Sequence, residues 1–170
     1  MDCQEKWRRL RLPHDLARKS VLDLGCNYGW YSFAAKHGGA DKVVGVDLSA
    51  QNIMTAKLIR DHIYQVPVSF EVADIEKLEL KRKFDIILLL ATLHRIGPTQ
   101  PPAIAPIDKQ LAFLDKVAGW VNETIILEYF PTNHIHEESL RRKFEVVEDL
   151  GKSVSPDRFE RRILRCQKPL

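Results

Sequence analysis

The chain alternates short apolar runs with segments whose apolar residues recur at helical spacing. Near-continuous apolar runs are typical of strands buried on both faces of a parallel sheet, whereas recurrence every three or four residues is typical of helices that cover such a sheet. The clearest run spans residues 84–90, and it predicts the central strand. The pattern therefore predicts an α/β fold in which strands and helices alternate.

Seven segments are predicted as strands and four as helices. The strands span residues 21–24, 43–46, 66–72, 84–90, 124–127, 144–150 and 161–166. The helices span residues 30–37, a segment from the N-cap Ser49 to about residue 64, a segment that begins at a cap Asp108, and residues 137–143. The residues predicted to face the core are Phe33, Ala34, Ile53, Ala56, Ile63, Val68, Phe70, Val72, Leu111, Leu114, Val117 and Val121. At 170 residues we expect one domain, in which residues 1–19 form a preamble that packs against the sheet edge.

A glycine turn, residues 25–29, joins the first strand to the first helix, and Asp47 ends the second strand. A strand, a glycine turn and a helix in this order form the nucleotide-binding half of a doubly wound sheet. A dinucleotide site needs glycines where this chain has Asn27 and Trp30. The turn therefore disfavours a nicotinamide-dependent oxidoreductase.

The spacing that is present is Asp-x-Gly-x-x-x-Gly, formed by Asp23, Gly25 and Gly29 and followed by Asp47. This motif resembles motif one of the class I methyltransferases that use S-adenosylmethionine, and the resemblance extends over most of the chain. It implies a doubly wound, mostly parallel seven-stranded sheet whose last strand is antiparallel, with S-adenosylmethionine as the cofactor. The residues that the resemblance places at the cofactor are Asp23, Gly25, Cys26, Asn27, Tyr28, Gly29, Asp47, Leu48, Asp74, Ile75 and Leu90.

Two acids suit the two ends of an adenosyl group. A carboxylate such as Asp47 accepts hydrogen bonds from both hydroxyls of a ribose, and charge-assisted bonds contribute about 1.5 to 3 kcal/mol each. In the resembled family an acid after the third strand, here Asp74, binds the adenine amino group. S-adenosylmethionine has no phosphate, so Asn27 and Tyr28 are tolerated in the turn. Each residue taken singly is also explained as a turn glycine, a strand end or a cap, and only their combination favours a cofactor site.

Methyl transfer from a sulfonium depends mainly on positioning, for which effective molarities of about 10⁵ to 10⁸ M are the relevant scale. For an acceptor that carries a proton, His94 is the first candidate base, because it follows the central strand and imidazole titrates near neutral pH. Glu128, after the fifth strand, is the second candidate. A loop or packing role is the alternative for His94. Aromatic residues that are candidates for an acceptor wall are Tyr28, Trp30, Tyr31, Tyr129 and Phe130, and core packing is the favoured use of Trp30 and Phe130.

Positive charge is concentrated near both ends of the chain. The formal net charge of +3 and the isoelectric point near 8.8 permit an anionic partner without requiring one. Because the two ends of a doubly wound fold can lie far apart, two separate solvated surfaces are favoured over one RNA-binding face. The basic residues concerned are Lys6, Arg8, Arg9, Arg11, Arg18, Lys19, Arg158, Arg161, Arg162, Arg165 and Lys168.

The remaining signals bear on environment and on metals. Three cysteines without metal or redox spacing favour a reduced, cytoplasmic environment. His134 and His136 form a pair that no cysteine or carboxylate set completes, so no metal is expected. No run approaches the ~18 apolar residues of a membrane span, so no membrane association is expected. The proline-rich residues 97–107 are either a lid or acceptor wall, or a stiff connector.

The sequence therefore predicts an S-adenosylmethionine-dependent methyltransferase whose acceptor is an RNA or a small molecule. Short stretches at Lys6-Trp7, residues 29–33 and Gly39-Ala40 look like enzymes that modify the wobble uridine of tRNA. Leu93-His94 stands where those enzymes carry a Tyr-His pair. The alternative is a catalytically silent domain of this fold that serves as a partner or RNA-binding subunit, which the C-terminal arginines favour and the intact turn and acids disfavour.

Overall fold

A seven-stranded sheet forms the centre of the protein. The computed structural model describes residues 2–12, 15–97, 105–130, 135–154 and 160–170. Their strands are β1 (Ser20–Leu24), β2 (Lys42–Asp47), β3 (Ser69–Val72), β4 (Phe84–Leu89), β5 (Val121–Tyr129), β6 (Phe144–Val154) and β7 (Glu160–Pro169), in the spatial order β3-β2-β1-β4-β5-β7-β6. The first five strands pair in parallel, and β7 is antiparallel to both β5 and β6. The predicted doubly wound sheet with an antiparallel last strand is confirmed.

Helices cover both faces of the sheet. Their bounds are α1 (Cys3–Arg9), α2 (Trp30–His37), α3 (Ala50–Ile59), α4 (Ile107–Gly119) and α5 (Ile135–Arg141), with a π-helical turn at Arg60–Tyr64 and a 3-10 turn at Leu93–Arg95. Phe33 of α2 and Ile53 of α3 join one core cluster, and Leu114 of α4 and Leu140 of α5 join another. Residues 86–89 of β4 belong to the two clusters in turn, so this central strand is buried on both faces.

The strand order creates a crevice between β1 and β4. The chain moves outward from β1 through β2 to β3 on one side, and from β4 to β5 on the other. The connections after β1 and β4 therefore diverge to opposite sides at the carboxyl ends of these strands. Open α/β sheets bind ligands at such a switch point.

Several predicted boundaries differ from the structure, and the largest shift is at the start of β5, which backbone pairing extends. Val121, predicted on the inner face of the preceding helix, is the first residue of β5 and pairs with Phe84. That helix ends at Gly119, and the carbonyl of Trp120 accepts a hydrogen bond from the N–H of Phe84 at 2.9 Å. Asp108, predicted as its N-cap, lies inside the first turn, and Pro106 occupies the cap position.

Three residues predicted to face the core do so less than expected. Ile63 is 69% exposed because the π-helical turn widens the helix at its end and shifts the side chains out of the α-helical register. Val72 is 51% exposed at the end of the edge strand β3. On α2, Ala35 is buried, whereas the predicted Ala34 is only half-buried.

The two basic ends of the chain meet, although they were expected to lie apart. Arg165 of β7 donates a hydrogen bond to the backbone carbonyl of Arg11 at 2.6 Å, and Glu148 of β6 forms ion pairs with both arginines. The preamble, expected at the sheet edge, contacts the edge strand β6, where Arg9 donates a hydrogen bond to the carbonyl of Lys152 at 3.2 Å. Its helix α1 also packs against α2, with the rings of Trp7 and Tyr31 6.4 Å apart. The N-terminal segment therefore lies across the β6–β7 side of the molecule and over the carboxyl ends of the strands.

Most of the proline-rich segment, residues 98–104, lies outside the described residues, so its predicted role stays a prediction. No helix in the described part of the chain combines the length and the apolar character that a membrane crossing requires.

His136 is a buried histidine that links α4 to α5. Its Nε2 lies 3.0 Å from Oε1 of Gln110, whose amide nitrogen donates to the carbonyl of Ala105. This arrangement makes Nε2 the donor, and Nδ1 has no partner among the described residues. Burial lowers the pKa of His136, because a charged ring would lose its hydration.

We expect His136 to make folding stability depend on pH. The unfolded chain binds a proton near pH 6.5 and the folded chain only at lower pH, so stability falls as pH drops through about 6.5, by at most ~1.4 kcal/mol per pH unit. Thermal unfolding between pH 5.5 and 7.5 should show a shallower dependence for His136→Gln than for the wild type. The exposed His62→Gln is the control, and an equal change in both variants would contradict this role.

Candidate functional site

The glycine turn after β1 is held by its neighbours on both sides. Gly25 and Gly29 have φ angles of +76° and +82°, which favour glycine. A Cβ on Gly25 would overlap the side chain of Thr92, and one on Gly29 would lie 2.6 Å from the ring of Phe70. The N–H of Gly25 donates to the carbonyl of Val46 at 2.8 Å. The turn is therefore fixed to the end of β2 and to the loop after β4.

The Asp47 carboxylate connects this turn to the start of α3. Its Oδ2 accepts the N–H of Asn27 at 2.8 Å, and its Oδ1 accepts the N–H of Ser49 at 2.9 Å. The side-chain amide of Asn52 lies 3.4 Å from Oδ1. Two backbone donors thus fix the orientation of the carboxylate, and each oxygen retains capacity for another donor.

The end of β3 brings a second acid to the same edge. Asp74 accepts a hydrogen bond from the N–H of Glu76 at 3.1 Å, and its Oδ2 lies 3.2 Å from Nζ of Lys77. The N–H of Ala73 donates to the carbonyl of Asp47 at 3.1 Å. A backbone hydrogen bond therefore joins the ends of β2 and β3, where Asp47 and Asp74 lie.

A first cavity of about 570 Å³ opens between these acids. Four residues that the resemblance placed at the cofactor line this cavity, and they follow the second and third strands: Asp47, Leu48, Asp74 and Ile75. One of them, Leu48, is 72% exposed at its rim. The lining consists of Gly25, Asn27, Asp47, Leu48, Ser49, Asn52, Ala73, Asp74, Ile75, Glu76, Ala91, Thr92, Arg95 and Ile96.

A second cavity of about 480 Å³ lies on the other side of the glycine turn and is more apolar and aromatic. It includes Tyr28, which is 52% exposed, and Leu90, which is buried. The lining consists of Cys3, Lys6, Asp23, Gly25, Cys26, Asn27, Tyr28, Trp30, Tyr31, Phe33, Ile59, Tyr64, Leu90, Ala91, Thr92 and Glu128.

Asp23 is a buried carboxyl in the wall of the second cavity. It is 2% exposed, and the hydroxyl of Ser32 donates to its Oδ2 at 2.7 Å. Burial raises the pKa of Asp23 to about 6, although the Ser32 hydrogen bonds oppose the shift. The group therefore changes charge near neutral pH, and a cation in the cavity would stabilise its ionised form.

The loop after β4 forms a ridge between the two cavities. Ala91 has a φ of +54°, a backbone conformation that costs energy for a residue with a Cβ. The Thr92 hydroxyl lies 3.0 Å from the carbonyl oxygen of Leu90 and 3.2 Å from that of Leu24. Ala91 and Thr92 line both cavities, as do Gly25 and Asn27.

Glu128 lies at the back of the second cavity in an ion pair. Its side chain is fully buried, and both oxygens accept hydrogen bonds from Nζ of Lys6, at 2.8 and 2.9 Å. The hydroxyl of Ser153 on β6 also donates to Oε1. This predicted candidate base is thus bound on both oxygens and connects α1, β5 and β6.

His94 lies in the 3-10 turn after the ridge. It contacts the ring of Phe130 edge to face at 4.8 Å, and its Nε2 accepts a hydrogen bond from Nε of Arg95 at 3.1 Å. His94 is not among the described residues that line either cavity, and neither is Gly29, which packs behind the turn against Phe70.

Sequence reasoning missed several lining residues. The sequence predicts Ser49 only as a helix cap and gives no signal for Asn52. Lys6 stands out only as a basic residue and within a short stretch of resemblance. The position of Thr92 just past the central strand was the available signal for the ridge. Tyr129, a candidate for the acceptor wall, is instead buried against His136.

His134 and His136 are the histidine pair for which the sequence predicts no metal site. His134 lies outside the described residues, and no group of three His, Cys, Asp or Glu side chains among the described residues could hold a metal ion.

The two cavities fit the two parts of S-adenosylmethionine. They share four lining residues and so form halves of one groove. The first offers the carboxylates of Asp47 and Asp74 to hydroxyl and amine donors, and the second offers Asp23 to a cation. The residues present therefore match the hydrogen-bonding groups and the positive charge of this cofactor.

Comparisons with known proteins agree with this geometry. A family model described as a methyltransferase domain matches residues 21–112. The tRNA U34 carboxymethyltransferase of Campylobacter hominis is 33% identical over 97 residues, which cover 56% of this chain and 34% of that protein. The ubiquinone biosynthesis O-methyltransferase of Nitrobacter winogradskyi is 31% identical over 95 residues, covering 56% of this chain and 36% of that protein. The aligned part thus spans about a third of the length of these curated relatives.

Solved structures show the same fold. The magnesium protoporphyrin IX methyltransferase of Synechocystis, crystallised with bound SAM, matches with a TM-score of 0.77 at 19% identity, over 97% of this chain and 77% of that one. The predictions of the family, the fold class and the cofactor are confirmed. The family model matches more than half of the length of this chain. The chain therefore belongs to the S-adenosylmethionine-dependent methyltransferase domain family.

Proposed function

We propose that this domain transfers a methyl group from S-adenosylmethionine to an acceptor bound in the second cavity. The observation that carries the proposal is the pair of cavities that meet at the ridge of Ala91 and Thr92, one with carboxylates and one with aromatic walls. We assign the adenosyl part to the first cavity, beside Asp47 and Asp74, and the cationic amino acid part to Asp23. The remaining predicted contacts are Gly25, Cys26, Asn27, Tyr28, Gly29, Leu48, Ile75 and Leu90.

When bound, the cofactor supplies an electrophilic methyl group on a sulfonium; transfer breaks the carbon–sulfur bond and forms a bond to a lone pair of the acceptor. We propose that this chain contributes mainly by alignment. The ridge and the fixed Asp47 carboxylate orient one reactant, and the aromatic wall of Trp30 and Tyr31 orients the other. The two rings lie 5.0 Å apart in an edge-to-face contact.

We infer that the acceptor is planar. Tyr28, Trp30 and Tyr31 give the second cavity three aromatic side chains, on which a flat ring packs well. The relatives named for tRNA U34 and for ubiquinone biosynthesis support this inference, since uracil and quinone rings are both planar. RNA and small molecules both remain within this class.

The two candidate bases, Glu128 and His94, differ in their hydrogen-bond partners. Glu128 is already bound to Lys6 and Ser153, so we assign it a structural role in the wall of the cavity. His94 remains the proposed base for an acceptor that carries a proton, although it must exchange its hydrogen bond with Arg95 for one with the acceptor.

The alternative, a silent RNA-binding subunit, loses part of its support. The terminal basic residues that suggested it are largely paired with acids: Lys6 with Glu128, Arg11 and Arg165 with Glu148, Arg162 with Asp149, and Lys168 with Glu145. Paired charges attract phosphates less strongly than free ones.

Calorimetric titration tests the proposed function directly. We expect S-adenosylmethionine and its demethylated product to bind, and NAD not to bind. Asp47→Ala should weaken binding of both by about 2 kcal/mol, or roughly thirtyfold, because the ribose loses a charged acceptor. Asp41→Ala, an exposed aspartate before β2, is the control. Binding of NAD alone, or an unchanged dissociation constant for Asp47→Ala, would contradict the assignment.

Cofactor affinity should also depend on the ionisation of Asp23. Below about pH 6 the carboxyl is neutral, and above it the anion attracts the cationic cofactor, so affinity should rise as pH increases from 5 to 7. The expected gain is about tenfold in the wild type. Asp23→Asn can still accept a hydrogen bond from the Ser32 hydroxyl, and it should remove most of this gain in affinity. Equal pH profiles for the two proteins would contradict a role of Asp23 in cofactor binding.

His94→Ala should lower turnover while cofactor affinity stays unchanged. General bases typically contribute about 10² to 10⁴ in rate. Because we assign most of the catalysis to alignment, we expect a loss at the lower end, about a hundredfold. Transfer of a labelled methyl group to an acceptor found by screening measures it, and full activity in the variant would dismiss His94 as the base.

A further inference from the structure

Four contacting side chains lie where β4 and β5 end and β7 begins. We name Arg95, His94, Phe130 and Arg161 the arginine–aromatic cluster. The Cζ of Arg161 lies 5.0 Å from the centre of the Phe130 ring, His94 meets the same ring at 4.8 Å, and Arg95 donates to His94. Because β7 is antiparallel, its first residues reach the same edge as the carboxyl ends of β4 and β5.

Arg161 differs from the other partly buried arginines of the described chain. Arg60, Arg162 and Arg165 each pair with a carboxylate, whereas Arg161 has no acidic partner among the described residues. Its Nε is buried and, like that of Arg165, has no acceptor among the described residues. A buried donor without a partner costs stability, and Arg161 forms no ion pair with a described carboxylate that would offset this cost.

Arg95 is a second cation without an acidic partner in the described part of the chain. It is exposed and lines the first cavity near the ridge. Its Nε donates to His94, and its terminal nitrogens have no partner among the residues that the structure describes, so they are available for an anion. The same holds for the terminal nitrogens of Arg161, since stacking on a ring occupies the face of a guanidinium and leaves its edge for hydrogen bonds.

The position of Arg161 connects the cluster to the second cavity. Arg161 pairs in register with Ser153 of β6, whose hydroxyl donates to Glu128 in the wall of that cavity. Arg95 flanks the same ridge from the first cavity. Arg95 therefore borders the first cavity, and Arg161 lies beside a residue that contacts the wall of the second cavity.

We propose that the arginine–aromatic cluster binds an anionic group of the methyl acceptor, either a carboxylate or a phosphate. This inference rests on the proposed function, and it deepens it by assigning a negative charge to the planar acceptor. Arginine suits both groups, because its planar guanidinium donates two parallel hydrogen bonds to a pair of oxygens.

The test uses the full chain with three small aromatic probes: benzoate, phenyl phosphate and the neutral benzyl alcohol. Each is titrated calorimetrically with and without the demethylated cofactor. We expect at least one anionic probe to bind about tenfold or more tightly than benzyl alcohol. In Arg161→Gln and in Arg95→Gln, the ratio of the affinity for the anionic probe to that for benzyl alcohol should fall by about fivefold or more.

Arg82→Gln is the matched control, because Arg82 also stacks on a phenylalanine, Phe84, with Cζ 5.6 Å from the ring centre, but at the opposite end of β4. It should leave the preference unchanged. A tighter benzoate complex assigns a carboxylate, and a tighter phenyl phosphate complex assigns a phosphate. Equal affinity for charged and neutral probes, or an equal loss in Arg82→Gln, overturns the proposal.

Two measurements separate this inference from the proposed function. If the wild type binds the demethylated cofactor but shows no preference for the anionic probes, the cluster proposal fails and the proposed function stands. If the wild type binds no cofactor, the proposed function fails, and the titrations without cofactor still decide whether the cluster binds anions.

Discussion

The hydrogen bonds between the Asp47 carboxylate and the backbone are the interaction on which the site depends. They join the glycine turn after β1 to the start of α3, through the N–H groups of Asn27 and Ser49. A carboxylate held by two backbone donors keeps one orientation, so it presents its remaining capacity to a ligand without reorganisation. The first cavity exists in its observed form because this acid holds the turn and the helix together.

A second electrostatic contact organises the other half of the groove. No residue of α1 is buried, so its attachment relies on few contacts, and Lys6 reaches the fully buried Glu128. Removing one partner of such a pair costs about 3 to 5 kcal/mol, because the other charge is left without compensation. The ion pair therefore fixes the N-terminal helix as part of the cavity wall, next to Cys3 and Tyr31.

The ridge between the cavities shows where the fold accepts strain. Asn27 and Ala91 both have positive φ angles without being glycine, and each of them lines both cavities. Gly25 beside them can approach Thr92 only because it has no side chain. Close packing of the two loops thus separates the cavities, and such strained positions are typical of functional sites.

The sequence by itself determined the fold and the acids that line the first cavity, because apolar runs, the turn spacing and the strand-end acids are local signals. Asp47 and Asp74 follow directly from their positions after strands. Tertiary structure decided which distant residues meet: Lys6 with Glu128, Arg11 with Arg165, and Phe130 with both Arg161 and His94. No spacing along the chain encodes these contacts, since β7 returns antiparallel beside β5 and brings residues from both termini to the edge where β4 ends.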